Sequence, residues 1–162
     1  MTWSYRLTTF RGIDIRVHAS FAILVLLVGL NWSSAGPAGV AFGLALMVLL
    51  FACVTLHELG HAYATRRWGG EVHEIGIMLL VFTPVPYVDA SAATGFKDKR
   101  KRMVVGAIGI CVELFLGALA LFVWLNVQPG MVRTLAFNVM LITGVSTLIF
   151  NGNPLLRFDG FE

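Results

Sequence analysis

The chain has 162 residues, of which 57% are hydrophobic and only 13% charged, with a mean hydropathy of +0.81. A soluble domain carries about 25% charged residues, so this composition excludes an ordinary soluble domain and points to a polytopic membrane protein. The formal charge of +3 is small, no nucleic-acid signature or internal repeat is visible, and Cys53 and Cys111 fall in apolar runs that give no disulfide framework.

Residues 6–17 are polar and partly alternating, as in Ile13-Asp14-Ile15-Arg16-Val17, which predicts a short strand at the membrane surface. A first apolar segment covers 18–32. It is short for a span, which needs about 20 residues. The basic leader before it and Ser33-Ser34-Ala35 after it allow a signal peptide, but the leader is long and the downstream spans need a first partner. A turn at 31–37 leads into the longest helix, 38–68, which Gly69-Gly70 stops. Residues 71–96 hold an apolar stretch, Ile75 to Phe82, too short to span, and Pro84 and Pro86 break a helix; a re-entrant hairpin or small sheet is expected. Lys97 to Arg102 is a basic cluster suited to anionic lipid. Two further spans cover 103–127 and 131–150, joined through Gln128-Pro129-Gly130. The fold class is therefore mainly α: a helix bundle of about four transmembrane helices with a small surface β-element, forming one domain over 1–162.

Four spans place the N-terminus, the 66–102 loop and the C-terminus on one side. That side holds Arg6, Arg11, Arg16, Arg66, Arg67, Lys97, Lys99, Arg100, Lys101, Arg102 and Arg157; the other holds only Arg133. The excess of Lys and Arg marks the first side as cytoplasmic.

The chemistry centres on His57-Glu58-Leu59-Gly60-His61, in the last third of the longest helix. Residues four apart share a helix face, so His57 and His61 can grip one metal ion. Glu58 can take a proton from the attacking water. Three polar side chains in five membrane residues are costly without a function. From His57 to Arg66 is roughly 13 Å along a helix, so water must reach the site through a cavity. A catalytic zinc needs three protein ligands. The third is sought among His18, His73, Asp89, Glu113 and Asp159. Asp159 is favoured, because Pro154 and Gly160 bracket it in a broken-helix segment that can turn a carboxylate inward. Cys53, one turn before His57, is read as packing.

With these motifs the chain resembles the site-2 protease family of intramembrane zinc metalloproteases. The likeness rests on His57-Glu58-Leu59-Gly60-His61 in one span and on Asn151-x-x-Pro154-x-x-x-x-Asp159-Gly160 after a later one. A surface strand at 12–18 and a strand-like stretch from Gly69 to Ile77 fit the same pattern, so it covers nearly the whole chain. The likeness is greatest to bacterial members described as peptide zinc metalloproteases, through Thr83 to Asp89 and Asn153 to Gly160. The resemblance implies Zn2+ held by His57, His61 and Asp159, with Glu58 as general base. Asn151 and Asn153 would shape the site or bind substrate. It implies a transmembrane or membrane-associated peptide as substrate, in a bacterial inner membrane with the active-site side cytoplasmic. The family also continues into a further helix beyond the aspartate motif, and often carries an asparagine in the third span where this chain offers Glu113 after Gly109. That Glu113 is read either as a partner of the site or as a neutral core carboxyl.

The competing class is a non-catalytic zinc-containing membrane protein that binds membrane peptides, as a pseudoprotease or secretion-system component would. Intact Glu58 favours the enzyme, because a structural zinc has no use for a general base. A transporter is the weakest option, since no inverted repeat is visible.

Overall fold

A computed structural model describes residues 4–10, 13–80, 83–89 and 91–151. The polar N-terminal stretch contains two strands rather than the single one expected. β1 (Ser4–Phe10) pairs antiparallel with β2 (Ile13–His18), Tyr5 opposite Val17. β2 runs into α1 (Ser20–Trp32), which a 3-10 turn at Ser33–Ala35 connects to α2 (Gly36–Arg67). Gly36 has φ 69°, a left-handed conformation that glycine adopts without strain. Pro37 then starts α2, where its missing N–H is harmless.

The two helices form an antiparallel hairpin. Phe21 meets Phe51 edge-to-face at 5.0 Å, and Trp32 meets Phe42 at 5.4 Å. A Cβ at Gly43 would run into the Trp32 ring, so α1 lies against α2 there without space for a side chain. The expected glycine stop at the end of α2 is present: Gly69 has φ 82°, Gly70 N–H donates to Thr65 O, and Gly69 N–H donates to Arg66 O. That pair of bonds satisfies two of the last helical carbonyls.

Residues 71–96 form a hairpin, not a helix. β3 (Glu74–Leu80) pairs antiparallel with β4 (Thr83–Val88), Ile75 opposite Val88. β2 lies parallel to β3, Ile15 opposite Ile75, so the sheet order is β1-β2-β3-β4. The parallel pair needs a long crossover, and the α1–α2 hairpin is that crossover. A 3-10 turn at Ser91–Gly95 leads to α3 (Lys99–Asn126), whose N-cap Asp98 accepts from the Arg100 N–H at 2.9 Å. α4 (Met131–Val145) returns antiparallel, with Arg133 over the Trp124 ring at 4.4 Å near the turn. Its end differs from expectation: Ser146–Asn151 is wound as a π-helix, not as the last turns of a plain α-helix.

Four spans were expected, and three described runs are long and apolar enough to cross a membrane: Ser20–Arg67, Lys99–Asn126 and Met131–Ile149. The first has 48 residues and is folded at Gly36. α1 alone has 13 residues, or roughly 20 Å, because β2 takes the chain as far as His18. The bundle has its apolar side chains outside. Leu26, Leu30, Phe115, Phe122 and Leu125 are exposed, whereas His57, His61, Glu113, Thr143 and Thr147 are buried. Contiguous apolar surface with a polar interior suits lipid rather than water. α3 and α4 approach closely at Gly117, where a Cβ would sit 2.9 Å from Thr143 Oγ1. Small residues of this kind let membrane helices pack without a hydrophobic drive.

Candidate metal centre

Helical spacing puts His57 and His61 on one face of α2, and both are buried, at 4% and 8% exposure. α3 crosses that face antiparallel. It presents three positions spaced by four residues: Val105, Gly109 and Glu113. The Val105 carbonyl accepts from His61 Nδ1 at 2.7 Å. A carbonyl only accepts, so this nitrogen carries the ring hydrogen and Nε2 is left with a lone pair. At the other end, Glu113 Oε1 lies 3.2 Å from His57 Nδ1. The carboxylate faces that nitrogen and leaves the Nε2 of His57 basic as well.

The two Nε2 atoms then point at one another, 3.0 Å apart. Two lone pairs at that distance repel unless a proton or a cation lies between them. A tetrahedral metal with bonds of about 2.0–2.1 Å to each nitrogen sets its ligand atoms roughly 3.3 Å apart. Gly109 completes the cradle. A Cβ there would lie 2.5 Å from Nε2 of both histidines and from Cε1 of His57. The donor set and the space fit a zinc-sized cation. Among the described residues, no third His, Cys, Asp or Glu joins them in a metal-binding group. Asp159 and Asn153, named from the sequence as ligand and neighbour, lie outside the described residues.

Glu58 is partly buried on α2 beside His57. Glu113, at 2% exposure, accepts three hydrogen bonds beside its ion-pair contact with His57. Ser146 Oγ donates to its Oε1 at 2.7 Å, Asn151 Nδ2 to its Oε1 at 3.0 Å, and Thr147 Oγ1 to its Oε2 at 2.7 Å. The structure thus brings His57, His61, Glu113 and Asn151 together. Gly109, Ser146, Thr147 and the Val105 carbonyl were not named from the sequence as working parts. The signal available for Ser146 and Thr147 was a polar pair inside an apolar span, four to five residues before Asn151.

The other ligand candidates are engaged locally at the sheet end. His18 Nδ1 accepts from the Ser20 N–H at 3.2 Å, and exposed His73 pairs with Glu71 at 3.1 Å. Asp89 accepts from the Ser91 hydroxyl at 2.6 Å and from its N–H at 3.2 Å. Those two hydrogen bonds hold the Asp89 carboxyl below its ordinary pKa.

The bundle thus holds a buried histidine pair one turn apart, flanked by a glutamate, inside an apolar exterior. In sequence and in fold the chain is similar to zinc metalloproteases of the site-2 protease kind. It is 32% identical over 124 residues to zinc metalloprotease MJ0392 of Methanocaldococcus jannaschii, a match covering 76% of this chain and 33% of that protein. The chain thus spans about a third of that relative's length. It superposes on the site-2 protease from Methanocaldococcus jannaschii with a TM-score of 0.62 at 26% identity, over 98% of this chain and 68% of that one. No protein-family profile matches the chain.

Proposed function

We propose that the chain is an intramembrane zinc metalloendopeptidase. The observation that carries this is the convergence of the two basic Nε2 atoms, 3.0 Å apart, over the Gly109 gap. His57 and His61 would hold zinc, with Asp159 as third ligand. When bound, zinc would polarise the scissile carbonyl and acidify the attacking water. Glu58 takes the proton of that water and passes it to the leaving amine. Val105 and Glu113 fix the tautomers that turn the Nε2 lone pairs of both rings toward one point. Asn151, at the end of α4, would shape the site, and Asn153 of the same motif remains a candidate for substrate binding. The names of the relatives support this reading at the level of the family.

The substrate would be a transmembrane or membrane-associated peptide, locally unwound. An extended peptide can add to a sheet edge. β3 is paired on both sides, so within the β3–β4 hairpin the strand with an unpaired edge is β4. The Asp89 N–H bonds to Glu74 O. By alternation, residues 84, 86 and 88 then point their backbone groups away from β3. Pro84 and Pro86 have no N–H to offer there, which leaves the Val88 N–H and the carbonyls for an incoming strand. The excess of basic residues at the sheet end supports a cytoplasmic placement of that end.

The test is a comparison of the purified chain with Glu58→Gln. Removing a positioned general base lowers turnover by about 10²–10⁴-fold. We expect Glu58→Gln to lose cleavage of a membrane-peptide substrate while binding one zinc like the parent. Equal cleavage by both proteins would remove Glu58 as the base. Zinc bound by a parent that cleaves no membrane peptide would favour the peptide-binding, non-catalytic alternative.

A further inference from the structure

We propose that Glu113 is a positioning residue that ties the metal-binding face of α2 to the π-wound end of α4, and so orients His57 for the metal. This rests on the metalloprotease reading above. A carboxylate is acceptor-only, with about four lone-pair sites. Two hydroxyls and one amide donate to this one, and the His57 imidazole stands in ion-pair contact with it at 3.2 Å. Three of these groups converge on Oε1 and one on Oε2. A glutamine would set an amide donor against one of those groups, and an apolar residue would leave all four without their partner in a membrane interior.

The winding of the chain follows from the same hub. In an α-helix, Ser146, Thr147 and Asn151 would fan over roughly 140° of the helix surface. The wider π winding, with bonds from i to i+5, narrows that fan to roughly 80°. The chain is π-wound over Ser146–Asn151, and all three side chains reach Glu113. Asn151 also donates to Ser146 Oγ at 3.1 Å, which closes the group. Asn151 opens the Asn151–Gly160 motif, and its anchor on Glu113 fixes the position from which that motif begins. On the α2 side the same carboxylate holds the His57 ring with Nε2 toward His61.

The experiment measures zinc affinity by chelator competition on the full chain in detergent, together with the melting of the zinc-free protein. Removing a group that orients a metal ligand costs about 10–100-fold in metal affinity. Glu113→Gln is expected to weaken zinc by that factor, and Asn151→Ala by several-fold. The two losses are expected to be non-additive, since Asn151 acts through Glu113. Zinc affinity within twofold of the parent in Glu113→Gln, even with a lowered zinc-free melting point, makes Glu113 a packing residue and overturns the proposal. Should Glu113→Gln not fold, Asn151→Ala decides alone: weakened zinc supports the hub, unchanged zinc overturns it. A parent that takes up no zinc overturns the metal reading, and this proposal with it.

Discussion

Each histidine of the pair has one ring nitrogen held by α3, and this decides what the other nitrogen can do. His61 gives its Nδ1 hydrogen to the Val105 carbonyl, and His57 turns its Nδ1 to Glu113. Gly109 keeps the space between them clear. Gly109→Ala puts a methyl group 2.5 Å from both Nε2 atoms, closer than any carbon–nitrogen contact tolerates. Zinc affinity measured by chelator competition is expected to fall at least tenfold, an amount typical of disturbed ligand orientation; an unchanged affinity would show that the rings do not converge there. The i, i+4 spacing of His57 and His61 was readable in the sequence, because it depends only on helix geometry within one segment. The part played by Gly109 was not, because it depends on which stripe of α3 crosses α2. The same holds for the Val105 carbonyl, which no side-chain pattern reveals. Asp159 and Asn153 were readable as a motif, and they lie outside the described residues.

At the level of elements, local signals were reliable where the chain's own chemistry fixes the backbone. Gly69-Gly70 ended α2 as expected, and Pro84 and Pro86 excluded a helix over 83–88. Winding and pairing set by distant partners were not legible. The π-turn at Ser146–Asn151 is stabilised by hydrogen bonds to a residue more than thirty positions earlier, so hydropathy read it as ordinary helix. The prolines of β4 carry a testable consequence. If a substrate strand adds to this edge, the outward Val88 N–H is the donor left to it. Val88→Pro removes that donor while leaving the β3 side of the ladder intact. We expect cleavage of a membrane peptide to fall several-fold with zinc binding unchanged; full cleavage would show that substrate does not pair along β4.

For the whole molecule, the reading of a multi-pass bundle with a small sheet held, and composition alone carried most of it. Among the described residues the bundle has four α-helices, of which α1, only 13 residues long, shares one folded apolar run with α2. The distribution of charge makes a prediction at this scale. The sheet, the end of α2 and the start of α3 carry nearly all the Lys and Arg, while Arg133 stands on Trp124 near the opposite end. A single cysteine at Lys97 should react with an impermeant maleimide only from the cytoplasmic side of sealed vesicles, and one at Gln128 only from the other. The reverse pattern would invert the proposed orientation.

The parallel pairing of β2 with β3 bears on how the protein is made. The two strands flank the α1–α2 hairpin, and Ile15 can meet Ile75 only after the chain has travelled out through α1 and come back through α2. Pairing over such a separation is slow compared with helix formation. The sheet therefore closes as a latch behind a completed insertion. A nascent chain stalled with α2 not yet returned has β1 and β2 as an open hairpin, its β2 edge waiting for a partner that has not yet emerged from the bilayer.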